Sequence, residues 1–217
     1  NFIKIPIEYH KYKARGGFKT PSGKVELYSQ VMADVGADPL PYYEEIPESP
    51  YSRPDLAKEY PLILTTGRRS QQFFISEHRQ IPSLRKKDPF PRVIINPTTA
   101  AQYGINEGDW IYIETPRGRI TQKALFEKDI DPRVINCQMG WWYPEAEGPD
   151  YGWDESNCNI LTSSDPPYDP VYGSYQLRGL LCKISKNDNC HIEERFNNWS
   201  LFNNWCLYKN NSKGVYP

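Results

Sequence analysis

Short apolar runs of β type, each ended by glycine, proline or a polar turn, follow one another from Tyr60 to Lys186. Leu62 to Thr66 ends at Gly67, and Arg92 to Asn96 is stopped by Pro97. Asp109 to Thr115 alternates apolar and polar residues, Pro116-Arg117-Gly118 makes a hairpin turn, and Arg119 to Glu127 returns as the partner strand. Arg133 to Cys137 is another strand, and Tyr175 to Ser185 reads as a last, long one. Only short helices fit between them, such as Thr98 to Tyr103, closed by Gly104. Many short strands joined by brief turns confine this part to an all-β sandwich or barrel.

The flanks read differently. Residues 1–59 form a lead-in arm: a short strand at Lys24 to Tyr28, a short helix from Ser29 towards Val35, then a proline-studded, acidic, extended stretch from Asp38 to Pro54. Residues 60–186 form the compact domain. Residues 187–217 form a tail rich in asparagine, with Phe196, Trp199, Phe202 and Trp205 interspersed without an evident period, and it reads as an extension or an interface segment. The chain opens at Asn1 without methionine or a signal pattern, as an excised piece of a longer protein or a processed mature protein would.

Composition excludes several classes. With 38% hydrophobic and 24% charged residues the chain can bury a core, and 20 prolines, about twice the usual share, fit a loop-rich fold. A net charge of −1 argues against a nucleic-acid surface, and no apolar run approaches the ~20 residues of a membrane span. Cys137, Cys158, Cys182, Cys190 and Cys206 lack any C-x-x-C spacing. They read as buried or free thiols and not as a metal site, and the odd count fits a reducing compartment; the location stays open between cytoplasm and periplasm, with a slight lean towards the cytoplasm. His10, His78 and His191 are far apart, and no catalytic signature occurs. We therefore assign this chain no catalytic residue and no metal ligand.

What remains is equipment for binding. The stretch Thr65-Thr-Gly-Arg-Arg-Ser-Gln-Gln-Phe-Phe-Ile-Ser-Glu-His-Arg79 follows a strand end. Gly67 admits close backbone approach, Arg68, Arg69 and Arg79 offer forked hydrogen bonds to phosphate, and Ser70, Gln71, Gln72 and Ser76 add neutral donors. The competing reading is a polar surface loop whose arginines pair with Glu77 and other acids. Asn157 and Asn159, in Trp153-Asp-Glu-Ser-Asn-Cys-Asn-Ile-Leu-Thr162, either present amides to a heterocycle or cap turns. Arg178 lies near the start of the last strand and is either a ligand or a solvated charge.

Taken together, six segments resemble, in order, the C-terminal molybdopterin-dinucleotide-binding domain of the dimethyl sulfoxide reductase family of molybdopterin oxidoreductases. They are Phe18-Lys-Thr-Pro-Ser-Gly-Lys-Val-Glu-Leu-Tyr-Ser29, Leu62 to Arg68, Ile95-Asn-Pro97 with Ala101-x-x-Gly-Ile-x-x-Gly-Asp-Trp-Ile111, Thr115-Pro-Arg-Gly118, Glu155-Ser-Asn-x-Asn-x-Leu-Thr162, and Gly173-Ser-x-x-Leu-Arg-Gly179. The resemblance covers about residues 16–186. It implies a six-stranded double-psi β-barrel, mainly β with short helices, between the arm and the tail. It also implies a cofactor, molybdopterin guanine dinucleotide carrying molybdenum or tungsten, held jointly with absent upstream domains. By the same resemblance Thr66, Gly67, Arg68, Arg69, Ser70, Gln72, Ser76, Glu77, His78 and Arg79 would line the pterin and pyrophosphate. Asn159 would hydrogen-bond a pterin edge, Asn157 would be a further cofactor contact, and Arg178 would sit at the cofactor. A 4Fe-4S cluster belongs only to the missing N-terminal part, and an iron–sulfur electron-transfer subunit is the expected partner. Such a chain is a fragment of a bacterial enzyme of anaerobic respiration, inactive alone, and non-redox tungsten chemistry stays open within this reading. A cofactor-free double-psi barrel serving as adaptor or peptide-binding module stands as the alternative. So does a separate barrel subunit of the formylmethanofuran dehydrogenase type.

Overall fold

The computed structural model describes residues 16–68 and 70–200. Residues up to Glu44, together with Pro170–Tyr172, form one small unit, and the rest from Glu45 onward forms another. In the small unit α1 (Gln30–Asp34) starts at Ser29, whose hydroxyl accepts the Met32 N–H. The strand expected at Lys24 to Tyr28 is not formed. Val25 and Leu27 are exposed, and two apolar residues with no neighbouring strand cannot fix an extended ladder.

The larger unit is a closed six-stranded barrel. Its elements are α2 (Pro54–Ala57), β1 (Leu62–Arg68), α3 (Pro82–Arg85), β2 (Arg92–Ile95), α4 (Pro97–Gln102), β3 (Trp110–Thr115), β4 (Gly118–Phe126), β5 (Val134–Gln138) and β6 (Leu180–Lys186), with two short 3-10 helices, Trp153–Glu155 and Cys158–Leu161, before β6. The strand order is β1-β5-β2-β4-β3-β6, closing back on β1. The pairs β1/β5 and β2/β4 are parallel and the other four are antiparallel, which makes the double-psi barrel that the family resemblance implies. Alternation builds the core. Leu62 and Leu64, Val93 and Ile95, Ile111 and Ile113, Ile135 and Cys137, and Leu180, Cys182 and Ile184 all point inward. The β3–β4 hairpin pairs Thr115 with Gly118 and so leaves Pro116-Arg117 as a two-residue turn.

The last strand begins at Leu180, five residues later than the apolar pattern suggests. Gly179 has φ +76 and its N–H donates to the Leu64 carbonyl, so the chain kinks into the sheet there and Tyr175 to Arg178 stay outside it. Cys137, Cys158 and Cys182 are buried free thiols, and Cys190 is a partly buried one. No helix among the described residues is long and apolar enough to cross a membrane.

A second core lies outside the barrel and is aromatic: Phe73, Trp110, Trp141, Tyr143 and Ile192, backed by Leu84 and Phe90. Residues 192–200 are helical, and Ile192 and Phe196 enter this cluster, so the first part of the tail is a packed helix. The spacing of Ile192, Phe196 and Trp199 was the helical period hidden by the surrounding asparagines. Two guanidinium groups are buried here. Arg85 forms a forked pair with Glu145, Nη2 to Oε1 at 2.8 Å and Nη1 to Oε2 at 3.2 Å, and its Nε donates to the Pro89 carbonyl. Both side chains of that pair are at most 1% exposed.

Removing one member of a buried pair strands the other charge without water, which costs about 3–5 kcal/mol. Arg85→Ala is therefore expected to lower the unfolding free energy measured by denaturant titration by an amount of that order, while a double replacement of Arg85 and Glu145 by methionines regains most of it. An Arg85→Ala protein as stable as the parent would show that the pair is not sealed from solvent.

Candidate functional site

Strands β1, β3 and β5 run one way and β2, β4 and β6 the other. The C-terminal ends of the first three and the N-terminal ends of the others therefore share one rim. Arg68 ends β1, Arg178 precedes β6, and the turn at residues 115–118 joins β3 to β4, so all three stand at that rim.

The tightest junction is between β1 and the segment before β6. The Thr66 hydroxyl donates to the Leu177 carbonyl at 2.7 Å, and Gly179 N donates to the Leu64 carbonyl at 2.9 Å. Gly67 lies between them where the β1–β5 register shifts, with φ +112. A Cβ there would stand 3.2 Å from Nη2 of Arg178. Glycine thus brings the Arg178 guanidinium directly over bare backbone. That guanidinium has no hydrogen bond or ion pair among the described residues.

Beside this junction a groove of about 270 Å³ is lined by Arg68, Ser70, Gln71, Gln72, Lys87, Asp88 and Arg92. Arg68 Nη1 donates to Gln138 Oε1 at 3.3 Å, and the same oxygen accepts the Arg92 N–H at 3.0 Å. Burial pulls the Arg68 pKa below the ordinary guanidinium value; Asp88 opposes this and Arg92 adds to it. Asp88 lies 3.5 Å from Arg92 Nε. Three cations against one carboxylate leave the groove positive. Ser70 donates its hydroxyl to Gln72 Oε1 and accepts the Gln72 N–H, which sets the loop's first turn. Lys87, Asp88 and Arg92 escaped the sequence reading because they follow the loop by chain distance and reach it only through the barrel. Arg69 lies outside the described residues.

Further along, the loop leaves the groove. Ile75 and His78 adopt positive φ, 52 and 71, and the Ser76 carbonyl accepts the Trp142 indole N–H. Glu77 and His78 pair with each other at 3.6 Å, exposed. Arg79 turns inward and is 1% exposed, its guanidinium 4.5 Å from the Trp141 ring centre and 4.9 Å from that of Phe73. Burial first, then the charge of Arg85, lowers its pKa to about 10. Arg79 Nε and Nη1 and the Trp141 indole N–H find no protein acceptor among the described residues.

The third stretch is the 3-10 helix Cys158–Leu161. Asn157 caps it, its side chain accepting the Asn159 N–H at 3.1 Å. Asn159 is exposed. Ser156 points inside, bonded to Tyr143 and the Thr121 carbonyl, where burial drives the Tyr143 pKa well up. The rim thus carries Arg68, Ser70 and Gln72 at one groove and Thr66, Gly67 and Arg178 at the neighbouring strand junction, with Asn159 on the same rim. It sends Arg79 into the aromatic core, uses Asn157 as a cap, and leaves Ser76, Glu77 and His78 on the outer loop. Among the described residues no cluster of three or more histidines, cysteines or acids is arranged to hold a metal ion.

Residues 62–181 match the model of the molydopterin dinucleotide binding domain. The chain is 44% identical over 188 residues to dopamine dehydroxylase of Eggerthella lenta, covering 83% of this chain and 18% of that protein. It is 42% identical over 178 residues to acetylene hydratase of Syntrophotalea acetylenica, covering 78% of this chain and 24% of that protein. With dimethyl sulfoxide reductase DmsA of Escherichia coli (strain K12) it shares 36% over 159 residues, 68% of this chain and 19% of the other. The solved structure of acetylene hydratase from Pelobacter acetylenicus superposes with a TM-score of 0.69 at 40% identity, over 79% of this chain and 24% of that one. The chain therefore spans a quarter or less of the relatives it matches, and it belongs to the molybdopterin-dinucleotide-binding domains of the dimethyl sulfoxide reductase family of oxidoreductases.

Proposed function

We propose that the charged rim of this barrel is one wall of the cofactor cleft of a larger bacterial molybdopterin enzyme, and that the cofactor is molybdopterin guanine dinucleotide with molybdenum or tungsten. The observation that carries this reading is the unpaired Arg178 guanidinium over the backbone of Gly67, next to a groove with three cations and one acid. A dinucleotide brings a doubly charged pyrophosphate and flat, amide-edged rings. Arg178, Arg68, Lys87 and Arg92 answer the charge, while Thr66, Ser70 and Gln72 supply neutral donors and Arg69 lies next to them in sequence. Asn159 offers both a donor and an acceptor to a pterin edge. In this reading Ser76, Glu77 and His78 form the outer lip of the cleft. Arg79 anchors the loop from inside, and Asn157 holds the short helix that bears Asn159.

The bound metal supplies the redox or hydration chemistry, and this chain binds and orients. Arg178 and the Arg68 groove neutralise phosphate charge, Asn159 sets the pterin's orientation, and the barrel keeps these groups fixed during turnover. The chain is inactive alone. Residues 1–59 act as the arm to upstream domains, residues 60–186 as the binding barrel, and residues 187–217 as an appended segment. A 4Fe-4S cluster in the N-terminal part and an iron–sulfur electron-transfer subunit complete the enzyme. A dehydroxylase and a hydratase are similar to this barrel at 44% and 42% identity, so the substrate is chosen elsewhere in the polypeptide.

In the complete enzyme, Arg178→Ala is expected to weaken cofactor binding by about 2 kcal/mol, roughly thirtyfold, and Arg68→Ala by a similar amount. Released, oxidised pterin per polypeptide measures it by fluorescence; undiminished pterin in both variants would remove the site. Gly67→Ala places a side chain at φ +112 and against Arg178. It should lower stability by about 1–3 kcal/mol in thermal unfolding and also reduce pterin content. A loss of neither would mean that the backbone there is free to relax.

A further inference from the structure

The Thr115-Pro-Arg-Gly118 turn joins β3 to β4, and its side chains reach the short helix bearing Asn159. The Thr115 hydroxyl donates to the Leu161 carbonyl at 3.1 Å, and Arg117 Nε donates to the same carbonyl at 2.8 Å. Gly118 leaves the space that Ile160 fills: a Cβ there would meet Ile160 Cγ2 at 2.8 Å. The turn is thus a cradle for Cys158–Leu161.

Arg117 also reaches the other way. Its Nη1 and Nη2 donate to Glu48 Oε2 and Oε1 at 2.7 and 3.0 Å, and Glu48 Oε1 further accepts the Leu181 N–H at 2.7 Å. The backbone of Glu48 grips Gln176: Glu48 N donates to Gln176 Oε1 and Gln176 Nε2 donates to the Glu48 carbonyl, both at 2.9 Å. Gln176 Nε2 additionally donates to the Arg178 carbonyl at 3.2 Å. Glu48 is therefore bonded on both sides of Arg178, at residues 176 and 181, and through Arg117 it is bonded to the end of the helix that carries Asn159.

We infer that Glu48 and Arg117 are positioning residues for the cofactor cleft, one forked ion pair that sets the Arg178 segment and the Asn159 helix in register with each other. This rests on the reading of Arg178 and Asn159 as cofactor contacts. A forked guanidinium–carboxylate pair has fixed planar geometry, so it transmits position as well as attraction. The pair is only partly exposed, 23% for Arg117 and 12% for Glu48, which protects it from the screening that weakens open surface pairs. Neither side chain need touch the cofactor.

The test uses conservative changes in the complete enzyme. R117K keeps the charge but loses the fork and the reach to Leu161, and E48Q keeps an oxygen for Leu181 but loses the charge. Pterin per polypeptide is measured after gel filtration, beside the thermal midpoint of the cofactor-free protein. The expected result is a loss of retention of about tenfold in R117K and E48Q, as for other supports of ligating groups, with a midpoint shifted by no more than a few degrees. In an N159A/R178A background R117K should have no further effect, because the groups it positions are gone. Full retention in R117K and E48Q, while N159A and R178A lose it, overturns the positioning role and leaves the site intact. So does a loss from R117K undiminished in the double background. If N159A and R178A themselves retain all their pterin, the cleft assignment fails and the positioning role falls with it.

Discussion

Closure of the sheet around β1 governs what the rest of this domain can do. β1 bonds in parallel to β5 along Ile63 to Arg68 and antiparallel to β6 along Leu62 to Leu64, so neither edge is left open. An open edge would bind other strands and would let β1 slide by a residue, moving Leu62 and Leu64 from the core to the surface. Closure forbids that slip. Because the register is fixed, Gly67 stands at the rim and nowhere else, Thr66 faces Leu177, and Arg178 is delivered above the glycine. The junction of Gly67 with Arg178 is a consequence of barrel geometry.

The polar interior continues that constraint to the groove. Gln122 Nε2 donates to the carbonyls of Gln138 and Ser156, and Gln138 N donates to Gln122 Oε1. Gln138 Oε1 then accepts from Arg68 and from the Arg92 backbone. The Gln122 amide has both ends partnered and so one low-energy arrangement, since any other strands a donor or acceptor without water, while Gln138 Nε2 finds no acceptor among the described residues. The chain of bonds thus ties β4, β5, the segment before Asn157 and the Arg68 groove into one unit. On the far side, the helix at residues 192–200 performs the same task by other means: Glu193 accepts the Trp110 indole N–H, and Arg195 forks onto Glu155, just before Ser156.

Much of the barrel was legible because strand periodicity is a local signal. Ile111 and Ile113, or Ile135 and Cys137, announce an inward face by alternation alone, and the Pro116-Arg117 turn announces the hairpin. The rim was legible in part, through Gly67 and its neighbours. What escaped was whatever depends on direction or on long chain separation. Arg79 is as polar in sequence as Arg68, but the positive φ at His78 turns it into Phe73 and Trp141. Lys87 and Arg92 join the groove only because β2 lies beside β5. Glu48 looked like one acid in an extended arm, and nothing local distinguishes it from Glu44 or Glu45. Its partners lie 69 and 133 residues away in the chain. The tail helix was hidden by its asparagines, although Ile192 and Phe196 sit four apart on one face.

The distribution of charge at the rim argues for a division of labour. Where this domain needs permanence it pairs its charges: Arg85 with Glu145, Arg117 with Glu48, and Arg195 with Glu155, each forked and partly or wholly buried. At the proposed cleft charge is left over, at Arg178 and in the Arg68 groove. An acid beside Arg178 would stabilise the free protein slightly, but a dianionic ligand would then have to displace it, and the exchange would forfeit most of the gain. Leaving the exposed Arg178 guanidinium unpaired costs little while water still reaches it, and its full electrostatic value would be realised only in a filled, dry cleft. In the proposed reading the paired arginines act as the frame and Arg178 as the contact, with the Glu48–Arg117 fork joining the two.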